Sequence, residues 1–350
     1  MSATKVFPWQ KPKFKYTDGI IGLHEEIEHY YEYVLPTPCE HVVRNELVRR
    51  IEDLVHKLWP QAVVEIFGSF RTGFVLPNSD IDIVIIGLWE KLPLRTLESE
   101  LLARQYAESS TMFVLDMAHV PILKFTDRET KIKVDISFNM SSGVHSSELV
   151  KVFKADNPVL GKLLMVLKQF LQQRGLNELF TGGVSSYALT TMCVSYLQMH
   201  RRKIDPETAN LGVLLLEFFE LYGMRFCYSK VEISAANKGS YSRSIQSQRS
   251  QVFIADPLEP SHNIGRGSHQ IIAIKQAFVW AYRVLNLALN PLNQRLLKSK
   301  QTSILGQIIN INNELIEQRA WLHKTFGHLV VVEQKADKTK DSTTVAAKDT

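Results

Sequence analysis

The chain has 350 residues, enough for about two domains with separate cores. Its 45% apolar and 22% charged residues exclude a fibrous or disordered protein, and a net charge of +5 suits a nucleic-acid partner without requiring one. Three scattered cysteines, no secretory signal and no run of about 18 apolar residues argue against a disulfide framework, export and a membrane span, so an intracellular protein, cytoplasmic and/or nuclear, is expected.

In chain order, residues 1–18 are basic and turn-rich and predict a flexible arm. Two helices follow, over 19–34 and 41–58; in the second, Val43, Leu47, Ile51, Leu54, Val55 and Leu58 recur at helical spacing. The runs 63–69 and 80–87 are short and β-branched and predict strands, as do 120–126 and 131–138, paired through a turn at Asp127–Glu129. A helix is predicted over 94–107. From Asn157-Pro158 onward, a helix start signal, the chain is mostly helical: to about Gln173, then over 185–199, 210–222, 268–288 and 304–324. The polar stretch 228–251 predicts a long loop, and the tail 333–350, almost free of apolar residues, predicts disorder.

Asp80 and Asp82 alternate with Ile81 and Ile83, so on a strand the two carboxylates share one face. Asp135 stands likewise opposite Val134 and Ile136. If the two strands are neighbours, three carboxylates converge. Such a cluster is unfavourable without a cation, and Mg²⁺, with Mn²⁺ as a substitute, suits a few carboxylates plus substrate phosphates. Two ions about 4 Å apart could activate a hydroxyl and stabilise a departing pyrophosphate, with Asp135 assisting removal of the hydroxyl proton. Asp-x-Asp pairs are also common on solvated strand faces; the Gly68-Ser69 pair upstream and the third aspartate favour the functional reading. Gly68-Ser69 reads either as an ordinary turn or as a close backbone approach to a phosphate.

The run FGSFRTGFVLPNSDIDIVI (67–85) with VDISF (134–138) resembles the DNA polymerase β-like nucleotidyltransferases. LKQFLQQRGLNELFTGGVSSYAL (167–189), LLLEFFELYG (214–223) and DPLEPSHNIGR (256–266) resemble the TRAMP-type poly(A) polymerase branch. The resemblance implies an α+β fold, with a palm-like catalytic domain (41–145) inserted in a mainly helical central domain (19–40 and 146–328), and ATP between them. It implies a template-independent RNA 3′-terminal nucleotidyltransferase with Asp80, Asp82 and Asp135 as metal ligands. Gly143, with Ser146 close by, matches the ribose contact. Lys168 and Ser186 match triphosphate contacts and Tyr187 the residue that stacks on the base. From the residues alone these read equally as a surface lysine, a helix cap and a core aromatic. In the last motif His262 stands where adenylating relatives carry Asn, followed by Asn263 and Arg266. That histidine keeps uridylyl transfer open as the alternative to adenylyl transfer. No RNA-recognition module is apparent, so the RNA 3′ end is expected to be held weakly, with an adaptor protein supplying affinity and target choice.

Overall fold

A computed structural model describes residues 7–118, 120–200, 204–236, 240–243, 252–290, 293 and 303–346. The chain divides into two compact units, one of residues 35–147 and 312–350, the other of residues 1–34 and 148–311. The two units thus alternate along the sequence, helical, sheet-bearing, helical and sheet-bearing again.

After α1 (Gly19–Val34), which belongs to the helical unit, the sheet-bearing unit begins with α2 (Pro38–Leu58). A capping box opens α2: Thr37 accepts from the Glu40 backbone N–H, while the Glu40 carboxylate accepts from Thr37 N–H. Its apolar stripe packs on β1 (Val63–Phe67), β2 (Ile81–Ile86), β4 (Ile122–Thr126) and β5 (Lys133–Phe138), with β3 (Phe113–Leu115) at the far edge. The strand order is β1-β2-β5-β4-β3. Only β2 and β5 run parallel; the other neighbours are antiparallel. Such a parallel pair needs a long crossover. Here α4 (Leu94–Ala103) and the β3–β4 hairpin supply it. Ile81, Ile83, Ile85, Val134, Ile136 and Phe138 are all buried in the core under α2 and α4. Period-two alternation therefore turns Asp82 and Asp135 to the other face.

Three expectations fail at the C-terminal end. The predicted helix over 304–324 is a 3-10 turn at Leu305–Gln307, and the long helix begins only at Asn313. Asn312 Oδ1 accepts from Leu315 N–H at 3.1 Å, a side-chain cap that sets the start there. This helix, α10 (Asn313–Ala346), packs on α2 through Leu322 and Phe326, and Arg319 grips Glu40 bidentately at 2.8 and 2.9 Å. Residues 312–328 therefore belong to the sheet-bearing unit and not to the helical one. The expected disorder over 333–350 also gives way, since the α10 backbone stays helical to Ala346. Nothing after Gly327 is Gly or Pro, so a helix already nucleated on α2 can propagate. Residues 347–350 lie outside the described residues.

The helical unit is built on α1, α6 (Leu160–Gln172), α7 (Ser186–Gln198), α8 (Leu211–Glu220) and α9 (Ile271–Leu289), with α5 (Ser142–Asp156) leading into it. The expected arm is anchored at its start: Phe7 and Trp9 are buried, and Trp9 meets Tyr30 of α1 edge-on at 5.5 Å, while residues 11–15 are exposed. The aromatic payload outweighs the basic, turn-rich composition; residues 1–6 lie outside the described ones. Buried Glu26 of α1 accepts from the Ile304 and Leu305 N–H groups, both at 2.9 Å, and from the Ser303 hydroxyl. Within 228–251, expected as loop, β6 (Val231–Ser234) pairs antiparallel with β7 (Ser240–Arg243); 237–239 and 244–251 lie outside the described residues. By length and composition α9 could cross a membrane, which sequence inspection had not indicated. Its buried Ile274, Phe278, Ala281 and Leu285 pack on α8 and on the π-helical turn Leu221–Arg225, which accounts for that composition within the unit.

Candidate active site

On β2 and β5, Asp82 stands directly opposite Asp135 in the parallel register. The same row continues outward to Lys124 of β4 on one side and Phe67 of β1 on the other. Asp135 is only 9% exposed, and its Oδ2 forms an ion pair with Lys124 Nζ. Asp80 lies two residues before Asp82 on the approach to β2. That approach is fixed by Arg44 of α2, whose Nη2 donates to the carbonyls of Pro77 (3.2 Å) and Ser79 (2.8 Å). Burial lowers the Arg44 guanidinium to about 10, against the favourable charges of Glu40 and Asp80, so it stays cationic at neutral pH.

Gly68-Ser69 opens a short helix, α3 (Gly68–Thr72), where a turn was expected. Gly68 has φ +65°, and a Cβ there would lie 2.1 Å from Asp82 Oδ2. The left-handed backbone favours glycine here, and any side chain would push the aspartate's carboxylate aside. Its N–H donates to Ser147 Oγ at 2.8 Å, and that hydroxyl donates to the Gly143 carbonyl at 2.8 Å. The Gly68 N–H is therefore engaged by a side chain in this structure. Ser147, which no sequence signal marks, links the segment at Gly68 to the first turn of α5. Gly143 lies against Phe67, whose ring a Cβ would approach to 2.6 Å. Ser146 back-bonds to the Ser142 carbonyl at 2.9 Å.

Asp80, Asp82 and Asp135 supply hard oxygen donors, the chemistry of a Mg²⁺ or Mn²⁺ site. Among the described residues no three acidic, histidine or cysteine side chains are gathered closely enough to hold an ion. An ion at Asp82 and Asp135 would therefore need further ligands from water and substrate phosphates.

In the helical unit, α6 is buried from Leu163 through Leu171 without a break, and Lys168, at 7% exposure, is part of that run. It is no snorkelling surface lysine. The cap of α7 is Ser185, which accepts from Ala188 N–H, leaving Ser186 exposed as the first helical residue. Tyr187 is half-buried, and its hydroxyl donates to Asp256 Oδ1 at 2.8 Å. His262 Nδ1 lies 3.5 Å from the other oxygen of Asp256, and the Asp256 N–H donates to the His262 carbonyl at 2.9 Å. Asp256 thus joins two predicted residues; it opens the DPLEPSHNIGR motif but was not itself singled out. Asn263 is committed elsewhere: Oδ1 accepts from Ile254 and Gly265 N–H, and Nδ2 donates to the Val252 carbonyl. It braces the 252–265 loop, and a nucleotide would have to compete with three backbone bonds. Arg266 is exposed at the end of the same loop.

Two family models match: the central palm domain of the mitochondrial-like poly(A) RNA polymerases over residues 23–155, and the Cid1-family poly(A) polymerase segment over residues 210–262. Trf4-2 of Drosophila melanogaster, described as an inactive poly(A) RNA polymerase, is 40% identical, with 93% of this chain and 83% of Trf4-2 covered. The chain belongs to the Trf4/Cid14 family of poly(A) RNA polymerases. Cid14 of Schizosaccharomyces pombe is 35% identical over 91% of this chain, and poly(A) RNA polymerase protein 2 of Saccharomyces cerevisiae 34% over 92%. This chain spans 49% and 60% of their respective lengths. Among solved structures, the polymerase core of TRAMP, an RNA surveillance complex, superposes with a TM-score of 0.75 at 35% identity, over 83% of this chain and 94% of that one. The Cid1 poly(U) polymerase shares the fold, with a TM-score of 0.65 at 23% identity, over 75% of this chain and 93% of that one. The architecture of this family member is therefore an α+β, polymerase β-like nucleotidyltransferase core.

Proposed function

We propose that the chain is a template-independent RNA 3′-terminal nucleotidyltransferase, adding AMP from ATP to RNA 3′ ends inside the cell. The observation that carries this reading is the in-register pair Asp82 and Asp135, with Asp80 two residues ahead, in a chain whose relatives are poly(A) RNA polymerases. Asp80, Asp82 and Asp135 would hold the divalent ions, whose chemistry is to acidify the attacking hydroxyl and neutralise the departing pyrophosphate. Asp135, nearly buried beside Asp82, would assist removal of the 3′-hydroxyl proton. Lys168 and the exposed N-terminus of α7 at Ser186 offer a cation and backbone donors to a triphosphate. Tyr187 offers a ring to the base, its hydroxyl oriented by Asp256. RNA would be held mainly through its backbone, with an adaptor protein adding affinity.

A second reading, a catalytically silent scaffold, has one observation in its favour: Trf4-2 is described as inactive. Incubation of the purified chain with Mg²⁺, labelled RNA and each nucleoside triphosphate separately decides between them. A ladder with ATP supports adenylyl transfer, and one with UTP alone moves the substrate to uridine. No extension with any nucleotide supports the scaffold. Loss of the ladder in the double variant D80A/D82A ties activity to the carboxylates, and survival of extension there sinks their assignment.

A further inference from the structure

The carboxylate cluster carries its own counter-charge. In the row across the sheet Asp135 has a carboxylate on one side, Asp82, and an ammonium on the other, Lys124. Two carboxylates side by side on adjacent strands repel each other, and a cation paired with one of them relieves that repulsion. Lys124 Nζ is ion-paired with Asp135 Oδ2. At the other end of the cluster Arg44 interacts electrostatically with Asp80.

The two cations differ in freedom. Arg44 is 3% exposed, bonded to two carbonyls, and its guanidinium lies 5.8 Å from the centre of the Phe70 ring. It cannot leave without dismantling the turn before Asp80. Lys124, by contrast, has a 41% exposed side chain, whereas that of Asp135 is 12% exposed. An ammonium on a flexible four-carbon stem can swing into water at little cost.

We propose that Lys124 is a resident counter-cation that occupies Asp135 while no metal is bound and is displaced when a divalent ion arrives, whereas Arg44 is a fixed cation that positions Asp80. This inference rests on the reading of the three aspartates as metal ligands. A bare divalent ion must compete with the Lys124 ammonium for Asp135. An ion arriving on a nucleoside triphosphate brings excess negative charge, which the displaced ammonium attracts. Lys124 thereby biases the site toward nucleotide-bound metal over free metal and keeps the metal-free unit from self-repulsion.

The test uses the full chain and Mn²⁺ alone, with free Mn²⁺ followed by electron paramagnetic resonance and melting followed in EDTA. Lys124→Met, which keeps the apolar stem, should bind bare Mn²⁺ on the order of tenfold more tightly. It should also melt lower in EDTA and gain more stability from Mn²⁺ than the native chain. Lys124→Arg should restore native behaviour on all three counts. Should Lys124→Met fail to fold, Lys124→Gln offers the same comparison with a polar head. Unchanged Mn²⁺ affinity and unchanged metal-free melting in the neutral variant overturn the proposal. Asp82→Asn separates the two layers of inference. If it abolishes Mn²⁺ binding while the neutral Lys124 variant changes nothing, only the counter-cation idea fails. If it leaves Mn²⁺ binding intact, the metal assignment fails and takes the counter-cation with it.

Discussion

Gly68 and Asp82 fit together with no atom to spare: a Cβ on Gly68 would lie 2.1 Å from Asp82 Oδ2. The backbone at Gly68 is also left-handed, with φ +65°. Gly68→Ala should cost about 1 kcal/mol in backbone strain and push the Asp82 carboxylate aside. A displacement of that size at a reacting centre reduces turnover on the order of 100-fold. Extension assays beside a thermal melt check this. The expected outcome is a folded protein with a modestly lower Tm and nearly no tailing activity.

Ser147→Ala should act on stability first. The hydroxyl accepts from Gly68 N–H and donates to the Gly143 carbonyl, both at 2.8 Å, and Ser147 is 3% exposed. Its removal strands the Gly68 N–H, while the Gly143 carbonyl stays within the helix, and should cost about 1–3 kcal/mol. Urea titration would register this as a lower midpoint at unchanged slope. Activity should fall as well, because Gly68 loses the bond that holds it over Asp82.

The pH dependence of stability should carry a contribution from Glu26. Burial raises its carboxyl above the ordinary value of 4.5, against the hydrogen bonds from Ser303, Ile304 and Leu305 that pull it down. A raised folded-state pKa means that the contribution is fully present below the unfolded value and lost as pH rises through the folded one. Glu26→Gln removes this dependence and leaves one of three donors facing an amide NH₂, at about 1–3 kcal/mol. Unfolding free energies measured from pH 4 to 8 should therefore fall less with pH in the variant. A parallel curve would show that Glu26 does not titrate in this way.

Local pattern was enough for β1, β2, β4, β5 and most of the longer helices, because Val43, Leu47 and Ile51 or Ile81 and Ile83 state their periodicity within a few residues, whereas the short β3, β6 and β7 carry no such signal. It also placed Asp82 and Asp135 each on the polar face of its strand. Their pairing is non-local: β2 and β5 are separated by a crossover, and only the folded register puts the two side by side. The same limit hid where α10 packs, since Leu322 and Phe326 advertise an apolar face but not that α2 receives it. Arg44, Lys124 and Ser147 look like ordinary surface residues in sequence and acquire meaning only from the groups they meet. Asn263 shows the converse, since a place in a nucleotide motif did not reveal that its amide is spent on the backbone.

Base preference should turn on His262. Its Nδ1 is 3.5 Å from Asp256 Oδ2, and the other oxygen of that carboxylate holds the Tyr187 hydroxyl at 2.8 Å. The ring proposed to meet the base and the imidazole of His262 therefore share one carboxylate, that of Asp256. His262→Asn keeps a hydrogen-bonding group but shortens the side chain, making room for a purine and withdrawing the imidazole edge. A change of this kind shifts discrimination by about 1–2 kcal/mol, roughly tenfold in the ratio of kcat/KM for ATP to that for UTP. The ratio should move toward ATP, with overall turnover on the preferred nucleotide little changed because the aspartates are untouched. Asp256→Asn is the companion variant: it loosens both Tyr187 and His262, so KM for either nucleotide should rise while the ratio drifts toward unity. A ratio unmoved by His262→Asn would mean that the imidazole, 59% exposed, does not reach the base at all.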